Sequence, residues 1–137
     1  MVDPAIGEAG DIDTAMTILK YKNGVIGMID NSRRAVYGYD QRVEVFGSKG
    51  SVTVANPTPH TAVYSHADTV ESAKPLYFFL ERYMDAYLAE MKVFIDCIVQ
   101  DTPPPVTGLD GRIPVAMGLA AWKSYRENRP VKLSEIS

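Results

Sequence analysis

Cysteine is nearly absent. Cys97 is the only one in 137 residues, so no internal disulfide can form, and a reducing compartment, the cytoplasm, is expected. It sits among Phe94, Ile95 and Ile98 in a strongly helical stretch, where a small buried thiol is the expected role. A catalytic thiolate needs a cationic or histidine partner, and none is implied nearby. Histidine is almost as scarce. His60 lies in a Pro/Thr turn and His66 at an expected strand end, without companions at ligand spacing, so no metal site is expected. No apolar run reaches the roughly 18 residues needed to span a membrane. The N-terminal residues lack both the basic region and the apolar core of a secretory signal. Basic charge is not in excess either. The formal charge of −3 and a pI near 5.3 argue against a nucleic-acid partner, and the pair Arg33-Arg34 is too short to change that.

Glycine is present, but not in the arrangement that binds a nucleotide. A dinucleotide fold needs a strand, a Gly-rich turn and a helix, with an acidic residue about 20 positions later. The ten glycines never fall into G-x-G-x-x-G. Gly7 and Gly10 come nearest, but no apolar strand precedes them, and Asp11 and Asp13 follow where phosphate would be repelled. There is no Walker-type loop and no G-x-S-x-G nucleophile elbow. No cofactor-binding, catalytic or metal-binding residue is therefore expected in this chain alone.

What is there is an ordinary soluble composition, 46% hydrophobic and 23% charged. The length suits one domain that buries roughly two-thirds of its unfolded surface. Residues 1–12 are aperiodic and read as loop, with Glu8, Asp11 and Asp13 keeping it solvated. Strands are expected over 13–22 and 25–35, joined by Asn23-Gly24, the strongest short hairpin signal, as a type I′ turn. Further strands are expected over 42–46 and 51–55, turned by Gly47-Ser48-Lys49-Gly50 and ended by Asn56-Pro57-Thr58-Pro59, with a short fifth over 61–65.

Met16, Ile18, Ile26 and Met28 make one face of the first hairpin; Ala15, Leu19, Tyr21, Val25 and Ile29 make the other. An antiparallel sheet with one wet face would alternate more cleanly. A second subunit is the natural cover for the open face, giving a homo-oligomer. Arg33 and Arg34 point to opposite faces of a regular strand, and the plain expectation for them is a strand-end salt bridge or an interface contact.

A long helix follows Pro75 and runs to about 100, with Leu80, Met84, Tyr87, Leu88, Met91, Phe94, Ile95 and Ile98 at spacings of three and four. A second runs from an N-cap at Asp110 to about 127. The alternative capping box from Thr107 would place Pro114 deeper in the helix. Ile113, Ala116, Met117, Ala120, Ala121 and Ser124 form a face of mostly small side chains. Val131-Lys132-Leu133 reads as a last short strand. The fold class is α+β: a mostly antiparallel open sheet of four to six strands, with two C-terminal helices packed on one face.

One segment has chemistry of its own. Tyr37-Gly38-Tyr39-Asp40 puts two phenols at a sheet edge beside a flexible backbone, and a tyrosine hydroxyl, which both donates and accepts, suits polyol recognition. The run from Asp30 through Tyr37-Gly38-Tyr39-Asp40 to Val52 resembles the second domain of NAD-dependent inositol 2-dehydrogenases, in the glucose-fructose oxidoreductase and MocA-like family. Phe79-Leu80-Glu81-Arg82-Tyr83 and Thr107-Gly108-Leu109-Asp110-Gly111-Arg112 extend the resemblance over nearly the whole chain.

The resemblance implies that residues 1–137 are a C-terminal substrate-binding and oligomerisation domain, with the nucleotide-binding domain and its NAD outside this sequence. It implies a substrate-binding role for Tyr39, with inositol or a related polyol as substrate. The family's lysine from a Glu-Lys-Pro segment, and its helical aspartate and histidine, have no match; Lys74-Pro75 follows Ala73 in a loop. The isolated chain is expected to be inactive. A non-enzymatic oligomerising module, or a domain of a related sugar dehydrogenase, are the alternatives.

Overall fold

In the computed structural model, which describes residues 3–136, a short helix, α1 (Pro4–Glu8), stands where the sequence reads as loop. Its start signal is a clear one: Asp3 accepts from the Ala5 amide at 3.2 Å, and Pro4 opens the first turn, where its missing N–H costs nothing. Asp13 also departs from expectation. It is 5% exposed, not solvated, and its Oδ2 accepts from the Asp3 amide at 2.5 Å. Arg34 meets Asp3 at 3.3 Å, a salt bridge at the end of the second strand.

The chain divides between Leu88 and Ala89 into two compact units, each taken by itself. The first holds six strands, all paired antiparallel: β1 (Thr14–Lys20) with β2 (Ile26–Ser32), β3 (Val43–Gly47) with β4 (Gly50–Val54), and β5 (Val63–Ser65) with β6 (Val70–Ser72). The hydrogen-bonded ladders are three separate hairpins. Strand β6 is absent from the sequence-based reading because three residues, Val70-Glu71-Ser72, are too few to display alternation.

The first hairpin has a different turn from the one expected. Tyr21 accepts from Gly24 N–H at 3.1 Å and donates to Val25 at 2.9 Å, so the loop is Lys22-Asn23-Gly24. Gly24 has φ +87° and Asn23 is not among the positive-φ residues, so a type I′ turn is not formed. This is the three-residue loop that ends in a left-handed glycine. The register that follows, Lys20↔Ile26 and Ile18↔Met28, places Met16, Ile18, Ile26 and Met28 on one face. That face is open, with Ile18 72% and Met28 66% exposed, while Ala15, Thr17 and Leu19 behind it are partly covered.

Helix α2 (Phe79–Gln100) starts four residues after Pro75. The Leu76 N–H and C=O are engaged outside any helix, with Pro57 and Tyr39, so helix cannot begin there. In the second unit α2 ends at Asp101, which takes φ +51°. Helix α3 (Gly108–Glu127) has Thr107, not Asp110, as its N-cap. The Asp110 carboxylate accepts from the Thr107 amide at 2.8 Å and its hydroxyl at 2.7 Å. These bonds hold its pKa below the ordinary value, and Pro114 is tolerated inside the helix.

The small-residue face is the covered one, with Ala120 at 7% exposure. Asn128 closes α3 in the left-handed region at φ 48°, ψ 45°. Leu133–Glu135 is a 3-10 turn where a strand was expected, because Glu135 is drawn to Arg129 at 2.7 Å, which holds its pKa at about 2. Cys97 is half-buried, its thiol donating to the Pro103 carbonyl at 3.7 Å.

Candidate functional site

The segment between β2 and β3 passes residues 75–76 at close range. Gly38, at φ +141°, is the reason it can: a Cβ there would lie 2.8 Å from the Pro75 carbonyl oxygen. The next residue, Tyr39, donates its amide to the Leu76 carbonyl at 2.8 Å, and Leu76 donates in turn to Pro57 at 3.3 Å. Tyr39 is thereby set half-buried beside α2, its ring edge-on to Tyr83 with centres 5.8 Å apart. Burial raises its pKa above the ordinary phenol value, and the neighbouring Tyr83 phenol adds to the rise.

Asp40 is the hub of the segment. Its carboxylate accepts from Arg42 Nε at 2.8 Å and Nη2 at 2.9 Å, from Asn56 Nδ2 at 2.5 Å, and from the Tyr37 hydroxyl. Arg42 foremost, then Tyr37 and Asn56, hold its pKa well below the usual carboxylate range. The Tyr37 phenol is correspondingly raised by its bond to Asp40. Asn56 turns its other end back, accepting from the Gln41 amide at 2.8 Å. Arg82 braces the same segment from α2, donating to the Gln41 carbonyl at 3.2 Å, while its guanidinium lies 5.6 Å from the Tyr83 ring centre. The Arg82 Nε and the Tyr83 hydroxyl are buried without a hydrogen bond of good geometry.

This arrangement suits recognition rather than proton transfer. A phenol with raised pKa stays neutral near pH 7, a donor and acceptor together. A carboxylate stabilised by several donors is a weak base. An open cleft of about 390 Å³ beside the segment is lined by Val36, Tyr37, Gly38, Lys74, Pro75 and Tyr77 among others. In the second unit a cleft of about 340 Å³ runs along α3, but both its cations are engaged: the Arg126 guanidinium lies 5.1 Å from the Trp122 ring centre, and Lys123 meets Glu135 at 3.7 Å.

Tyr39, the residue singled out from the sequence, is at the centre of this cluster. The His60 carbonyl accepts from the Thr58 hydroxyl at 2.9 Å, and His66 closes the β5–β6 hairpin, its Nε2 2.7 Å from the Thr69 hydroxyl. Asp40, Arg42, Asn56 and Tyr83 were assigned no role in the sequence. Asn56 reads there only as the end of a strand. The signal for Asp40 and Arg42 was their adjacency to Tyr39, whereas nothing in the spacing links Asn56 to them.

Among the described residues, the helix starts are poorly suited to a dinucleotide's phosphates. The two long helices begin with an acidic residue in the first turn, Glu81 in α2 and Asp110 in α3, and Asp110 already occupies the amide at its helix start. Gly10, with φ +77°, follows α1 rather than preceding a helix. Among the described residues, no group of three or more His, Cys, Asp or Glu side chains could hold a metal ion, and no helix is long and apolar enough to cross a membrane.

Antiparallel hairpins combined with two long helices define an α+β fold. Residues 2–133 match the C-terminal alpha/beta domain of the oxidoreductase family, and the chain belongs to that family. It is 52% identical to myo-inositol 2-dehydrogenase of Thermotoga maritima over 136 residues, covering 99% of this chain and 41% of that protein. It is 34% identical to scyllo-inositol 2-dehydrogenase (NAD(+)) of Bacillus subtilis, covering 96% of this chain and 38% of that protein. A solved structure described as a probable dehydrogenase from Thermotoga maritima superposes with a TM-score of 0.95 at 51% identity, over 100% of this chain and 41% of that one. The chain thus spans about two-fifths of the length of the curated relatives it matches.

Proposed function

We propose that this chain is the substrate-binding and oligomerisation domain of an NAD-dependent inositol 2-dehydrogenase, working in the cytoplasm. The observation that carries the reading is Tyr39: a neutral, half-buried phenol anchored through its own amide to Leu76 and braced against Tyr83. A polyol ring offers hydroxyls that each donate and accept, and a phenol answers both. The names of the relatives, inositol dehydrogenases with one marked for NAD, favour a cyclitol over an open-chain sugar.

When bound in the parent enzyme, NAD would supply the hydride acceptor for oxidation of a ring alcohol to a ketone, with the hydroxyl proton passing to a base outside this chain. This chain's part is to hold the polyol and to wall it from water. Since the helix starts here repel phosphate, NAD is assigned to a nucleotide-binding domain outside the chain. The face of Met16, Ile18, Ile26 and Met28 is assigned to contact with a second copy, because an exposed apolar patch of this kind marks an interface.

The test is an assay of NADH formation from myo-inositol. The full polypeptide that carries this chain should reduce NAD, and the 137-residue chain alone should not. Turnover by the isolated chain, or a full polypeptide inert on every inositol isomer offered, would overturn the reading.

A further inference from the structure

The Tyr39 segment closes on itself. Tyr39 donates to Leu76 at 2.8 Å, Leu76 donates to Pro57 at 3.3 Å, and the residue before Pro57, Asn56, donates to Asp40 at 2.5 Å. Asp40 is bonded covalently to Tyr39, which completes the ring. Every other link in that ring is backbone, so Asp40 and Asn56 supply its only side-chain bond. Arg42 and Tyr37 hold the same carboxylate from both sides in sequence, and its side chain is only 14% exposed.

We infer that Asp40 is a positioning residue for Tyr39: its carboxylate closes the ring that fixes the backbone carrying the phenol, and it acts on the polyol only through that phenol. The inference rests on the polyol reading of Tyr39. Asp40 is poorly placed to bind a ligand itself, since Arg42, Asn56 and Tyr37 already occupy its oxygens. An amide in its place would keep the shape but set an NH2 group against the donors of Arg42 or Asn56. The bond to Asn56 would lose its charge, leaving Asn56 tied to the segment mainly through the Gln41 amide, and Tyr39 would be freer to shift by fractions of an ångström, enough to weaken a hydrogen bond to a fixed polyol.

A double-mutant cycle in the full-length enzyme separates the possibilities. KM for myo-inositol is measured at saturating NAD for wild type, Asp40→Asn, Tyr39→Phe and the double variant. Tyr39→Phe and Asp40→Asn are each expected to raise KM roughly tenfold, with kcat little changed, as for loss of one ground-state hydrogen bond. The double variant is expected to be no worse than Tyr39→Phe alone. Multiplying effects would mean that Asp40 acts independently of Tyr39, and the inference would fail with the polyol reading intact. So would an unchanged KM in Asp40→Asn.

If Tyr39→Phe itself had no effect, the polyol reading would fall and this inference with it. Asn56→Ala, which opens the ring while leaving the Asp40–Arg42 pair, should raise KM in the same direction. It serves as the deciding variant should Asp40→Asn fold poorly. Faster exchange of the Tyr39 amide in Asn56→Ala is the second readout; an amide as protected as in wild type would overturn the ring argument.

Discussion

Tyr39 meets Tyr83 edge-on, their ring planes at 90° and their centres 5.8 Å apart. The edge of one ring, which is electron-poor, faces the electron-rich face of the other, a contact worth about 1 kcal/mol beyond the area it buries. The same contact limits where the Tyr39 hydroxyl can point. It also withdraws that hydroxyl from water, which favours the neutral phenol.

Alkaline titration reads this directly. Tyr37 and Tyr39 should ionise later than an ordinary phenol, and Tyr37→Phe and Tyr39→Phe should each remove one late phenol from the absorbance titration. Because the folded pKa is raised, the native state holds its proton longer than the unfolded one. The linked stability is present below about pH 10 and is lost as pH rises through the folded pKa. Eight phenols titrating together at the ordinary value would refute it.

Asp40 gives the opposite sign. Its folded pKa is depressed by Arg42, Tyr37 and Asn56, so its contribution is present above about pH 4 and is lost as pH falls toward the lower folded value. Chemical denaturation between neutral and acid pH should show a falling limb that is flatter in Asp40→Asn. An acid limb of equal slope in both proteins would show that the carboxylate contributes nothing to it.

Gly38 and Gly111 make a matched pair of alanine substitutions. Gly38→Ala forces a Cβ to 2.8 Å from the Pro75 oxygen at φ +141° and should destabilise by about 2 kcal/mol. Gly111→Ala lies inside α3 with nothing within 4 Å of the added methyl, and should stabilise by roughly 0.5–1 kcal/mol. Thermal melts of the two variants should move in opposite directions. A Gly38→Ala protein that melts with the wild type would mean residues 75–76 yield to it easily.

The open face of β1 and β2 is the surface proposed above for contact with a second copy. Light scattering of the chain across a concentration series should give the mass of a dimer or larger species. Ile18→Glu combined with Met28→Glu, a cross-strand pair, should return it to monomer. A wild-type monomer at all concentrations would remove the interface role of this face.

Much of this was legible in the sequence because the period of the apolar residues distinguishes helix from strand. The stripe from Leu80 to Ile98 and the alternation of Met16 and Ile18 led to the helix and the hairpin. The turn was misread for an instructive reason. A two-residue Asn23-Gly24 loop would pair Ile18 with Ile29, whereas the observed loop pairs it with Met28. The expected turn and the expected faces were therefore incompatible, and the observed register, fixed by the Tyr21–Val25 hydrogen bond, is the one that keeps those faces together.

The start of α3 was decided by Asp110 reaching back to Thr107, which outweighed the placement of Pro114. Tyr39 was singled out from its Tyr-Gly-Tyr-Asp setting and the family resemblance. Its support was not, since Asn56 lies sixteen residues from Asp40 and is joined to it only by the fold.

Asn56 gives to Asp40 with one end of its amide and takes from Gln41 with the other. Few side chains of that length present a donor and an acceptor on one planar group. An aspartate at 56 would set two anions face to face, and a leucine would orphan the Gln41 amide. Positions 40 and 56 are thus bound by a rule of complementary polarity: a relative that replaces the acid at 40 is released from the need for an amide at 56. In a family alignment the two columns should change together, and a protein engineer who alters one must choose the other at the same time.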